Sequence, residues 1–332
     1  MSLFSLPGSR PLPVSCRDSR GRAPRSAGRG FSPQPAGLLV AVIGLHAAVA
    51  SAAPLSPAPE ASSAVPAAAA PAAVSSATPR SGPPPSDADT ANNPLSIVPA
   101  LQVQNYAQPV LRDARGSGAN QPILRGILPF HGFGGSNLLR VSLPVATSVW
   151  GESGAATGIG DLTLFSVRVL PLSSHSGLGF GPLLVAPTAS SDLLGAGRWQ
   201  FGAQTTFSSR HPWGLLAALV SYQQSWDGSI NAATAQPFVF RNIGNGFYLR
   251  SSGIISFDVR TGEGVLPIGL GLGKVTRLAS GNLLNVYLEP QVSAIASGVG
   301  QPRFQVFAGF NLQFPPRPRV AAAAPPPAQP RP

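Results

Sequence analysis

Apolar side chains recur at every second position in run after run between residues 93 and 314, and this alternation constrains the fold more than any other feature of the chain. Trp199, Phe201, Ala203, Thr205 and Phe207 share one face, against Arg198, Gln200, Gly202, Gln204 and Thr206. Leu139, Val141, Leu143, Val145 and Val149 oppose Arg140, Ser142, Ala146 and Ser148. Phe247, Leu249, Ile255 and Phe257 oppose Tyr248, Arg250, Ser252, Ser256 and Asp258. The final run sets Phe304, Val306, Ala308, Phe310, Leu312 and Phe314 against Gln305, Phe307, Gly309, Asn311 and Gln313. A period of two means strand, because successive side chains leave opposite faces of a sheet.

About twelve such runs can be read, near 95–106, 119–130, 136–149, 158–170, 178–188, 197–208, 213–226, 230–241, 246–258, 264–277, 282–293 and 302–314. At 11 to 14 residues they exceed the usual soluble strand and suit tilted strands crossing a bilayer. A bilayer leaves no unsatisfied sheet edge, so such strands must close on themselves. With 37 glycines and 37 prolines an all-α fold is excluded. The expectation is an all-β transmembrane antiparallel β-barrel of about twelve strands. A soluble β-sandwich or lipocalin-like barrel is the competing reading, disfavoured by strand length and polar inward faces.

Short connections near His131–Gly135, Ser209–Pro212, Asn242–Asn245 and Leu278–Gly281 tend to alternate with longer ones such as Ala107–Gly118, Trp150–Thr157 and Ala294–Gln301, although Asp227–Ser229 breaks the rhythm. This fits an even-stranded barrel with both termini on the side of the short turns. Tyr106, Trp150, Trp199, Trp213 and Trp226 fall near strand ends and are expected to form interfacial girdles, mostly on the outer side. Gly269, Gly271 and Gly273 share one face opposite Leu266, Ile268, Leu270 and Leu272, which suits a narrow, curved wall.

Residues 1–52 read as an export signal. Six arginines from Arg10 to Arg29 precede the apolar stretch Leu38–Ala50, and Ala50-Ser51-Ala52 offers a small-residue cleavage site. An Arg-rich organelle presequence is the alternative. Residues 53–92 are mostly Ala, Pro and Ser and read as a disordered linker; 315–332 read as a similar disordered tail. The barrel occupies 93–314. Cys16 is the single cysteine, so intramolecular disulfides and multi-cysteine metal sites are excluded. Of the formal charge of +11, thirteen basic and eight acidic residues between 93 and 314 supply +5, and the tails supply the other +6. Charge this dispersed gives no stripe for a phosphate backbone, and no nucleic-acid partner is expected.

Seven stretches in a fixed order carry a family resemblance: Gly158-Ile159-Gly160-Asp161; Gly179-Phe180-Gly181-Pro182 leading to Pro187-Thr188; Leu194-Gly195-Ala196-Gly197-Arg198-Trp199; Gln236-Pro237-Phe238; Gly246-Phe247-Tyr248-Leu249; Pro267 to Lys274; and Arg303-Phe304-Gln305-Val306. On these, the segment resembles the bacterial outer-membrane β-barrel proteins labelled "meta-pathway of phenol degradation", often named simply "transporter". The resemblance implies an outer-membrane barrel that passes hydrophobic or aromatic compounds. The last strand also resembles the sorting signal read by the barrel assembly machinery, except that 18 residues follow Phe314.

Catalytic and cofactor motifs fail on inspection. Gly269 to Lys274 imitates a phosphate loop, but Ile268 stands where its first glycine belongs and Val275 follows the lysine. Gly151-Glu152-Ser153-Gly154-Ala155 misses the nucleophile-elbow pattern at its last position. His131, His175 and His211 fall in turns on one rim with no ligand spacing. No enzyme activity, cofactor or metal is expected. Arg140, Arg168, Arg198, Arg250, Asp258 and Glu289 lie on strands whose other face is apolar, so they are expected to line the lumen, where they would stiffen the interior, select solutes, or do both. The function expected is an outer-membrane channel for small hydrophobic or aromatic solutes, with membrane lipid and the assembly machinery as partners. The alternative is a non-transporting barrel that anchors its tails to the cell wall or a partner.

Overall fold

The computed structural model describes residues 85–316 except 133, 152 and 153. The export signal, most of the linker and nearly all of the C-terminal tail lie outside the described residues.

Sixteen ladder segments join into twelve antiparallel strands. These are β1 (Ala100–Leu111), β2 (Gly118–Gly132), β3 (Gly135–Pro144 and Thr147–Gly151) and β4 (Gly154–Gly158 and Leu162–Pro171). Then come β5 (Ser176–Ala186), β6 (Gln200–His211), β7 (Gly214–Ser225) and β8 (Asn231–Gly244). The last four are β9 (Phe247–Ser251 and Ile255–Asp258), β10 (Gly264–Gly269 and Gly271–Arg277), β11 (Leu283–Ser297) and β12 (Pro302–Gln313). Each strand pairs with its sequence neighbours, and β12 pairs with β1 from Ala100↔Gln313 to Leu111↔Pro302. The sheet is therefore a closed barrel. Both ends of the strand order meet at the rim that holds Gly134 and the short turns 172–175, 212–213, 245–246 and 278–282.

Alternation sets the inside and outside. Gln200, Gln204, Thr206 and Ser208 are buried on β6 while Phe201 and Phe207 are exposed. On β12, Gln305, Phe307, Asn311 and Gln313 point in and Phe310 points out. The outer surface carries an apolar belt in which Leu270, Ile268 and Val292 are 67%, 60% and 59% exposed.

The expected faces slip at one place. Between Pro144 and Thr147 a bulge, with Ala146 at φ +48°, shifts the parity of β3. Val149, expected beside Leu139 on the outer face, is buried instead. The first strand also differs. It starts at Ala100 rather than near residue 95, because Leu95 turns inward to pack against Phe165, Val167, Leu183 and Val185. Tyr106, expected in a girdle, is 2% exposed and stacks on Phe307 inside, with ring centroids 4.4 Å apart. Trp150, Trp199 and Trp226 are exposed at the rim opposite the short turns, and Trp213 is exposed in a short turn.

The glycine face of β10 has a steric cause. A Cβ on Gly273 would strike the Tyr248 ring, and Cβ atoms on Gly269 and Gly271 would come within 2.6 Å of Glu289 atoms. The glycines let those side chains lie flat against the wall. Gly273→Val is expected to displace Tyr248 from its 2.6 Å hydrogen bond to Asn285 Oδ1 and to cost about 1–3 kcal/mol by overpacking. Urea unfolding of the refolded protein measures it, with Gly126→Ala as the comparator, since a Cβ there meets nothing within 4 Å.

Two segments enter the barrel from its ends. The final residues of the stretch read as a linker form a helix, α1 (Asp87–Asn92), capped by Ser86 Oγ accepting from the Asp89 amide at 3.0 Å. Ala88 and Ala91 pack on Leu215, Phe240, Tyr248, Val275 and Leu283 inside the rim of the short turns. At the opposite rim the connection 187–199 folds inward, burying Leu194 against Ala119 and Val149. Asp161 holds it there by accepting from the Ala189 and Ala196 amides at 3.1 and 2.7 Å.

Candidate functional site: the barrel interior

Beside the α1 segment, inside the barrel, lies a cavity of about 90 Å³ lined by Arg125, Arg140, Arg250, Tyr106, Tyr287, Phe238, Phe240, Phe307 and amide side chains, with residues of the α1 segment forming one wall. The strands fix this arrangement by register. Arg125 faces Ser142 across the β2–β3 ladder, and Arg140 is two positions along from Ser142 on the same inward face. Glu289 faces Phe307 across β11–β12, and Arg250 faces Gly271 across β9–β10.

Glu289 is fully buried and saturated with donors. Its carboxylate accepts from Arg250 Nε at 2.8 Å, the Ser252 amide at 2.8 Å, Ser252 Oγ at 2.6 Å and Gln291 Nε2 at 2.9 Å. The Ser252 amide is free to do this because the β9 ladder breaks between Ser251 and Ile255. Arg250 in turn stands 3.8 Å over the Tyr287 ring and 5.0 Å over Phe307, contacts that suit a guanidinium better than an ammonium. Amide side chains continue the network: Gln305 donates to Gln291 at 2.6 Å, and Gln108 donates to Gln305 at 3.1 Å.

The six residues expected in the lumen separate into three groups. Arg140, Arg250 and Glu289 are interior, and the structure brings Arg250 and Glu289 together. Arg168 lies at the rim of the short turns, where its guanidinium donates to Gly132 O at 3.2 Å and Gly134 O at 2.7 Å. Arg198 and Asp258 are not on the lumen wall. Arg198 sits in the connection before β6 and pairs with Asp227 of the next connection on that rim, at 3.0 Å with both side chains about half exposed. Asp258 ends β9 and accepts from the Arg260 and Thr261 amides at 2.8 and 2.9 Å, forming a turn at the same rim. Alternation carries Arg198 onto a strand that begins only at Gln200, and it reaches Asp258 at the last residue of β9, where the carboxylate turns to the amides that follow it. Asp227 is held well below the usual carboxylate range, first by the Ser225 hydroxyl, then by Ser229 and Arg198.

Arg125 is the interior charge that sequence reasoning missed. Its inward neighbours Ile123 and Ile127 are apolar, so β2 carries apolar residues on both faces and its parity is ambiguous in sequence. The three histidines lie at the rim of the short turns, with His211 stacked on Trp213 at 5.2 Å.

The crystal structure of an outer membrane channel from Pseudomonas putida F1 resembles the chain with a TM-score of 0.52 at 17% sequence identity, covering 65% of this chain and 96% of that one. No family model and no curated protein matches. The barrel of this chain has the fold of that channel.

Proposed function

We propose that the chain spans the bacterial outer membrane as a narrow channel for small solutes with an apolar or aromatic body. The observation that carries this reading is the partition of the wall: an apolar belt outside, and a buried interior that is polar, charged and aromatic at once. Exposed to water, such a belt would drive aggregation; in a bilayer it is the expected surface. Strands such as β2 and β11, each 15 residues, reach about 50 Å at roughly 3.3 Å per residue. A tilt near 45° brings that to the span of a membrane. The resemblance to the phenol-degradation proteins and the fold of the Pseudomonas channel support the same reading. Uptake by liposomes holding the refolded barrel tests it, comparing a small phenolic with a sugar of similar size. Faster entry of the phenolic than into empty liposomes is expected; exclusion of both by a folded barrel would overturn it.

The covered ends favour a second reading, a closed barrel that serves as an anchor for its tails. Removing residues 53–84 separates the two. A channel keeps its uptake without them, whereas an anchor loses its attachment.

A further inference from the structure

Two cations interrupt the apolar belt on the outer wall, close to the rim of the short turns. Arg241 lies three residues before the end of β8, and Lys274, the single lysine of the chain, three before the end of β10. Alternation points both outward: Arg241 stands between exposed Val239 and Ile243, and Lys274 follows exposed Leu270 and Leu272. Across the ladders Arg241 faces Leu249, Leu249 faces Leu272 and Phe247 faces Lys274, so the two cations flank β9. Strands about 4.8 Å apart with a rise of about 3.3 Å per residue place their Cα atoms about 12 Å apart. Two long side chains reaching toward each other can close that span around one phosphate. Among the described residues no carboxylate lies within ion-pair distance of either cation. Lys274 Nζ stands 4.5 Å over the Phe247 ring, and both residues line an open groove of about 670 Å³ with Leu249, Leu270, Leu272 and Leu288.

We propose that this groove binds one anionic glycerophospholipid of the leaflet at the short-turn rim, its phosphate between Arg241 and Lys274 and an acyl chain along the four leucines. A cation on the lipid-facing wall is costly at the bilayer midplane and tolerated near the interface, where the headgroups lie. The charge singles out the occupant, because the ammonium of a zwitterionic headgroup would meet the same two cations. A second copy of the chain fits worse. Among the described residues the strands carry only two carboxylates, Asp258 at a rim and Glu289 inside, so the belt has none to offer. This rests on the barrel lying in a bilayer, and not on what passes through it.

Native mass spectrometry of the refolded full chain tests the site, after incubation in detergent with equal amounts of phosphatidylglycerol and phosphatidylcholine of the same chain length. One retained phosphatidylglycerol per barrel is expected, saturating and favoured about tenfold or more over phosphatidylcholine. Arg241→Met and Lys274→Met are each expected to lower that preference about fivefold, the contribution of one cation beside an anionic lipid, and Lys274→Arg to keep it. Arg115→Met with Arg260→Met removes two charges from connections at the opposite rim and is expected to leave the preference unchanged. Equal retention of the two lipids, adducts that rise without saturating, the same loss in the opposite-rim variant, or an undiminished preference in folded R241M/K274M would each overturn the site. So would a lipid-free dimer that R241M/K274M abolishes, which would put a second copy in the groove. Should R241M/K274M fail to fold, saturation at one lipid and the opposite-rim variant decide alone. A barrel that inserts into phosphatidylcholine vesicles yet shows no preference loses the lipid site and keeps its place in the membrane. One that inserts into no vesicle loses both.

Discussion

Glu289→Ala is expected to be the most damaging single substitution in the barrel, costing about 3–5 kcal/mol. Four donors converge on this fully buried carboxylate, one of them the Arg250 guanidinium, itself only 5% exposed. Alanine would leave a cation enclosed among aromatic rings without its counter-charge and the Ser252 amide without an acceptor, where no ladder partner is available to it. Replacing both members, Glu289→Met with Arg250→Met, should recover most of the loss, because a buried pair is worth little against apolar residues of similar volume. Urea unfolding followed by the mobility shift of the folded barrel on gels measures all three proteins. A loss below about 1 kcal/mol in the single variant would mean that water reaches Arg250 and replaces the carboxylate.

Removal of residues 85–98 is expected to raise single-channel conductance in planar bilayers several-fold while the barrel still folds. The segment closes the rim of the short turns with α1, yet its attachment is weak for its size. The fork of Arg277 on Asp87 is about half exposed, and pairs of that kind contribute about 0–1 kcal/mol. Asn242 donates to Asp89 at 2.9 Å and Asn285 to Asn92 at 3.0 Å, while Asn311 and Gln313 donate to Ala91 O at 3.3 and 3.2 Å. Around these contacts Asn92 Nδ2, Asn242 Oδ1, Asn311 Oδ1 and Gln313 Oε1 are buried with no partner among the described residues. Each such atom costs about 1–3 kcal/mol, which offsets much of the apolar packing of Ala88, Ala91 and Leu95. Unchanged conductance in a folded, shortened barrel would show that the connection 187–199, rather than α1, limits passage.

The strands were legible because a sheet with one apolar face writes its period directly into the chain. All twelve expected runs overlap a strand of the barrel, and the glycine face of β10 lies inside as its pattern implied. What escaped was local. A single added residue at Val145–Ala146 reverses parity, and only Pro144, which cannot donate to a ladder, hinted at it. Leu95 and Ile97 imitate the start of β1, although the chain there is still inside the barrel. Ser86 followed by Asp87 and Asp89 was a readable helix start, overshadowed by the Pro/Ala composition before it. Of the interior charges, Arg250 and Glu289 could be placed by alternation, but their partnership could not, since it depends on two strand registers that bring them to either side of Gly271, which no periodicity records.

The pairing of the first strand with the last has a consequence in time. Ala100 meets Gln313, and the Phe314 amide donates to Pro99 O at 2.9 Å, more than two hundred residues apart along the chain. Every other neighbouring pair of strands can form as soon as its own hairpin exists, but this seam must wait for the whole sheet. Contacts of such long separation form late, so an unfinished barrel carries two bare edges for as long as the seam is open. The rate of appearance of the folded species should therefore respond to substitutions along the seam, such as at Val103 or Phe310, far more than to equal substitutions in the middle of the sheet.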